Sequence, residues 1–152
     1  MNTFKIALFG HRDLSLHKTV EKGLATIFSE IMRTQDIVEV YIGRNGEFDI
    51  FAASVIKRIM KNLGTRNITM TLVLPYKNKN IEYYENYYDD IIIPESVEKV
   101  YYKKAITERN KWMVENCDQI IFCIERENGG AYNALKYAEK LGKSVINLAK
   151  EN

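Results

Sequence analysis

Cysteine, histidine, proline and tryptophan are all scarce in this chain. Two cysteines, two histidines, two prolines and one tryptophan occur among 152 residues. Cys117 and Cys123 form no CxxC pair, and His11 and His17 lie far from them in sequence, so a metal site is not expected. No run approaches the ~20 apolar residues that cross a bilayer, so a membrane is not expected as a partner. The opening ten residues, MNTFKIALFG, read as a first strand rather than a signal peptide. Together these features point to a cytoplasmic setting with both cysteines as thiols. An excess of charge of one sign is also missing. Basic residues number 22 and acidic residues 20, and no basic stripe or tail appears. Non-specific DNA binders usually carry one, so nucleic acid is not expected as a partner. Two nucleotide fingerprints are absent as well, the GxxxxGK[ST] loop and a GxGxxG after the first strand.

What is present is a regular alternation. Residues 4–9 form an apolar run closed by Gly10, the first strand. Leu16, Val20, Leu24, Ile27 and Ile31 recur every three or four positions, which marks an amphipathic helix ending near Arg33 with Ser15 as its cap. Residues 37–42 make the second strand. Ala52, Ile56, Ile59 and Leu63 mark a helix stopped by Gly64. Residues 68–74 are the third strand, stopped by Pro75. Residues 75–100 are the least regular part and hold half of the ten tyrosines, with a short strand at 91–93. A helix over 101–116, a strand over 119–124, a helix after Gly129-Gly130 and a last strand over 145–148 complete the order. Strands alternating with helices predict an α/β fold: an open, doubly wound, mostly parallel sheet of Rossmann-like form with helices on both faces. The length suits one domain over residues 1–152, with the tyrosine-rich stretch as an irregular insertion.

In such a sheet, ligands bind beyond the carboxyl ends of the strands. Three glycine-containing polar loops follow strands and run into helix starts: residues 10–13, 43–49 and 125–131. Helix N-termini offer unpaired N–H groups and the positive end of the dipole, which suits an anionic ligand. Gly10, Gly43, Gly46, Gly129 and Gly130 allow close approach, while Arg12 and Arg44 can make two-point contacts with phosphate. The same glycines can equally serve as tight turns.

Arg109 stands on the face of its helix shared by Ile106 and Met113, which should pack on the sheet. An arginine there either reaches a ligand or pairs internally, for instance with Asp49. Asn110 lies beside it. Glu47 and Asp49 are the carboxylates available for acid–base work, although Asp49 can instead cap its helix. His11 can contact a ligand or donate a hydrogen bond within its loop. The tyrosines can stack on a base, cover a site or form a contact surface.

The pieces FGHRDL (9–14), GRNGEFDIFAA (43–53), ITERNKWMVENCDQIIF (106–122) and ENGGAYNALKYAEKLGKSVINL (127–148) resemble, in order and spacing, the SLOG superfamily of Rossmann-like domains. Within it the sequence is most similar to the DUF1273 (YpsA-like) group. Lonely Guy phosphoribohydrolases and DNA-processing Rossmann domains are more distant. The resemblance implies a pocket for a nucleotide-like ligand at Gly10 and Arg12, at Gly43, Gly46 and Asp49, at Arg109 and Asn110, and at Gly129 and Gly130. It departs from the Lonely Guy PGGxGTxxE motif, whose glutamate is catalytic. Residues 128–134 here read NGGAYNA, and Ala131 stands where related groups carry a threonine hydroxyl.

The reading that follows is a module that binds a nucleotide or nucleotide-derived ligand as a sensor, with no cofactor. A hydrolase or transferase acting on an N-glycosidic bond through Glu47 or Asp49 is the alternative. A protein-partner domain or homo-oligomer contact without a small ligand is the third.

Overall fold

The computed structural model describes residues 2–64 and 67–150. Its centre is a six-stranded sheet, parallel at every pairing. The strands are β1 (Thr3–Gly10), β2 (Ile37–Ile42), β3 (Ile68–Val73), β4 (Asp90–Ile92), β5 (Gln119–Cys123) and β6 (Ser144–Asn147), in spatial order β4-β3-β2-β1-β5-β6. The expected α/β architecture is therefore present, and it is wholly rather than mostly parallel.

Parallel strands need covered faces, because the crossovers lay helices on both sides. Alternate residues of each strand feed two separate cores. On one face Ile6, Leu8, Val40, Ile42, Met70 and Leu72 pack under α1 (His17–Thr34) and α2 (Glu47–Leu63), through Leu24, Phe28, Phe48 and Ile56. On the other face Ala7, Phe9, Ile120 and Phe122 meet Met113 and Val114, with Ala134 and Ala138 beside them. Strand β1 runs through the middle, so both of its faces are buried and it reads as a nearly continuous apolar run.

The tyrosine-rich stretch is more ordered than the sequence suggests. It folds as α3 (Ile81–Tyr87), the edge strand β4 and a single turn, α4 (Glu95–Glu98). Tyr84 and Tyr88 are buried against the first core, so tyrosine here fills apolar space with its ring. The helix expected over 101–116 divides in two. Tyr102–Lys104 forms a 3-10 turn, and α5 (Ala105–Asn116) follows. Ser15 does not cap α1: the helix starts at His17 without a side-chain cap, and Ser15 Oγ donates to Glu125 Oε2 at 3.0 Å. The last helix, α6 (Gly130–Lys140), begins at the paired glycines as expected. Both cysteines are buried free thiols, and burial pushes them up to about 12 (Cys117) and about 11 (Cys123). They behave as small core residues. No helix among the described residues is long and apolar enough to cross a membrane.

Candidate functional site

The strand order reverses direction between β1 and β5: the chain winds from β1 outward to β4, then returns to the other side of β1. Loops leaving adjacent strands at such a point diverge to opposite faces and leave a crevice. Here the crevice is a cleft of about 420 Å³. Of the residues anticipated from sequence, Gly10, His11, Arg12, Asp49, Arg109, Asn110, Gly129, Gly130 and Ala131 line it. Phe9, Asp13, Asn45, Ile106, Arg126 and Asn128 line it too. Asn45 and Asn128 adjoin the glycines that drew attention to their loops, so proximity to those glycines was the only signal for them.

Arg109 is the floor of the cleft. It is 3% exposed, and its guanidinium reaches three elements. Nη1 donates to the Val73 carbonyl at the end of β3 (2.8 Å), Nη2 to Asn45 Oδ1 (2.8 Å) and Nε to Asn110 Oδ1 (2.9 Å). All three acceptors are neutral. A guanidinium has five N–H groups, so two are left by these bonds. Asp49 does not pair with Arg109 directly. Its Oδ2 accepts from the Asn45 N–H at 2.9 Å, and Asn45 thus links carboxylate to guanidinium. Burial lowers the Arg109 pKa and raises that of Asp49, and each charge opposes the shift of the other. Asp49 sits in the first turn of α2, where the dipole also favours its negative form. Asp49 does not cap its helix as foreseen: α2 starts from Gly46 without a side-chain cap, and Asp49 holds the Asn45 N–H in the loop before it.

Gly43 and Gly46 do not line the cleft. Gly43 backs the Arg109 guanidinium, and Gly46 lies against the Arg12 backbone, whose carbonyl accepts the Glu47 N–H at 2.8 Å. Arg44 turns away altogether. Its Nη1 donates to the Tyr88 hydroxyl at 2.9 Å, and its guanidinium stands 5.2 Å from the Tyr84 ring centre and 5.9 Å from that of Tyr83. Aromatic faces outcompete the cleft for it. Glu47 is likewise engaged elsewhere, accepting the Leu14 N–H at 3.0 Å.

His11 is 7% exposed, and it accepts rather than donates as anticipated: Nε2 takes the N–H groups of Glu125 and Arg126, each at 3.2 Å. That ties the loop after β1 to the loop after β5. An accepting Nε2 requires the neutral ring, and burial, aided by the Arg126 charge, lowers its pKa. Arg126 itself holds Asp13 through two bonds of 3.1 and 2.8 Å. Arg12 is exposed, and its side chain makes no hydrogen bond or ion pair among the described residues. Gly129 has φ +93°, a left-handed conformation at the start of α6 that favours glycine, and both Gly129 and Gly130 border the cleft.

The cleft does not end at α6. Asn110 and Gly130 also border a groove of about 290 Å³ between α5 and α6, lined by Lys111, Lys136 and Lys140 with Asn133 and Tyr137. The sequence reading missed it. Each lysine alone looks like one solvated helix position, and helix packing is what gathers them.

No family model matches the chain, and no curated protein matches it. Two solved structures resemble it over 93% of its length. One is DNA processing protein A (DprA) from Streptococcus pneumoniae, with a TM-score of 0.66 and 17% identity. The other is DNA processing protein A from Helicobacter pylori, with a TM-score of 0.61 and 15% identity, described for its single-stranded DNA binding mode. The chain spans 49% of the first protein and 63% of the second. These neighbours correct two expectations. The expected nucleotide-sensing module, with its N-glycosidic and partner-domain alternatives, is not what these neighbours point to: both are DNA processing proteins, and one is described for binding single-stranded DNA. The exclusion of nucleic acid fails as well, because a sum of charge over the whole chain says nothing about three lysines brought to one groove. At these identities the likeness establishes architecture alone: the chain has a Rossmann-like α/β fold.

Proposed function

We propose that the cleft and the adjoining groove bind single-stranded nucleic acid through its phosphates. The continuity of the two, through Asn110 and Gly130, is the observation that carries the reading. A free nucleotide needs one closed pocket. A strand needs an open path with a cation at each step. The path here runs from the uncommitted Arg12, past the α6 N-terminus, to Lys111, Lys136 and Lys140. The glycine N–H groups and the two remaining Arg109 N–H groups suit one phosphate at the floor. The single-stranded DNA bound by the Helicobacter pylori neighbour supports the same class of ligand. Within the SLOG superfamily, the GHR, GRNGEFD, ERN and NGGA pieces support placement in the DUF1273 group, in a cytoplasmic protein whose core thiols stay reduced.

Fluorescence anisotropy with a labelled oligothymidine tests this. Backbone-driven binding to single strands weakens with salt by a log–log slope of roughly −0.7 per phosphate contact. Replacing Lys111, Lys136 and Lys140 by alanine together should flatten that slope by roughly 2. Absence of binding at low salt, or a slope unchanged in the triple variant, overturns the proposal.

A further inference from the structure

Tyr101 and Tyr102 are 84% and 73% exposed, the most exposed large hydrophobic residues among those described. They sit one after the other, followed by the exposed Lys103 and Lys104, and lead directly into α5. A single exposed aromatic needs no explanation, but here two rings meet in space and a third, Tyr101, adjoins them in sequence. The Tyr102 ring stands 4.6 Å from that of Tyr76, tilted by 47°, and the Tyr102 hydroxyl donates to the Tyr76 hydroxyl at 3.3 Å. Tyr76 comes three residues after Val73, whose carbonyl accepts from Arg109. The end of β3 and the loop that opens α6 after β5 are separated by β2 and β1, so the Tyr76–Tyr102 pair stands beyond the Arg109 floor on the side away from α6.

We infer that Tyr76, Tyr101 and Tyr102 form a base-stacking platform, which takes unpaired bases of a strand whose phosphates occupy the cleft. The inference rests on the strand-binding reading above and deepens it. Every base has a π-face, so a tyrosine platform takes any sequence, and aromatic stacking combined with cations is how single strands are held without base-edge contacts. A duplex hides those faces, so the platform makes the site selective for unpaired strands. Tyr76 and Tyr102 hold each other through their hydroxyls, which fixes the Tyr102 ring before a base arrives. Lys103 and Lys104, next in sequence, supply charge for the backbone.

The test compares two labelled oligonucleotides with equal numbers of phosphates, an oligothymidine and one built of abasic spacers, on the wild-type chain and on Tyr101→Ala/Tyr102→Ala. Each stacked base is worth enough to expect at least about a 5-fold preference of the wild type for the oligothymidine. The double variant should lose that preference and bind the abasic strand as the wild type does. Tyr101→Phe/Tyr102→Phe should retain most of the preference, since stacking uses the ring. Equal wild-type affinity for both strands overturns the platform and leaves the strand-binding reading intact. So does a double variant weakened equally on both strands, which marks general damage. Binding of neither strand by the wild type overturns both.

Discussion

Gly43 leaves room for Arg109 and for nothing else: a Cβ added at Gly43 would lie 2.7 Å from Arg109 Nη1 and 3.1 Å from Cζ. The arginine cannot yield freely, because its bonds to Val73, Asn45 and Asn110 hold it from three sides. Gly43→Ala should break the Nη1 bond to the Val73 carbonyl and cost about 1–3 kcal/mol, the usual consequence of stranding one buried polar group. Urea unfolding measures it. Arg109→Met should cost about as much for each acceptor it strands. Arg109→Lys should not recover the loss, since an ammonium cannot present a planar fork to acceptors on three elements.

His11 should make stability depend on pH below neutrality. Its folded pKa lies below the ordinary 6.5, because the ring is buried and stands near the Arg126 charge. Above pH 6.5 both folded and unfolded chains hold it neutral, and its contribution is full. As pH falls below 6.5 the unfolded chain takes up the proton first, so stability drops until the folded value is passed. His11→Gln should remove that component from urea midpoints measured between pH 7.5 and 5.

Gly129 should resist substitution for a reason unrelated to space. Nothing lies within 4 Å of a Cβ placed there, yet its φ is +93°. Gly129→Ala should therefore destabilise by roughly 1 kcal/mol or more through backbone strain alone. Thermal unfolding reports that loss. If the turn presents N–H groups to phosphate, strand affinity should fall with it.

Much of the fold was legible because strand and helix periods are clear in β1, β2, β3 and β5 and in the Leu24 and Ile56 faces of their helices. The tyrosine-rich stretch was harder to read. Helix α3 is only seven residues long and β4 only three, too short for either period to show. The loops after the strands were located from glycines, and the cleft is there. What sequence could not supply was direction. Arg12 and Arg44 follow neighbouring strands in similar loops, yet one faces the cleft and the other is held by Tyr88. Nor does spacing reveal that Asn45 would stand between Asp49 and Arg109, or that α5 and α6 would align their lysines.

The strand order has a consequence for when the site comes into being. Strands β1 to β4 each lie beside their predecessor, so the first 92 residues can build their part of the sheet from neighbouring segments. Strand β5 cannot follow that pattern. The chain must travel from the β4 edge back across three strands to reach the far side of β1, and Tyr101, Tyr102 and Arg109 ride on that return journey. The walls of the cleft therefore come from the earliest and the latest parts of the chain. A nascent polypeptide shorter than about the start of α6 at Gly130 has arginines, glycines and tyrosines but no site. A bound strand would hold the returning segment against the earlier four-stranded half, and so guard the longest-range contacts in the molecule.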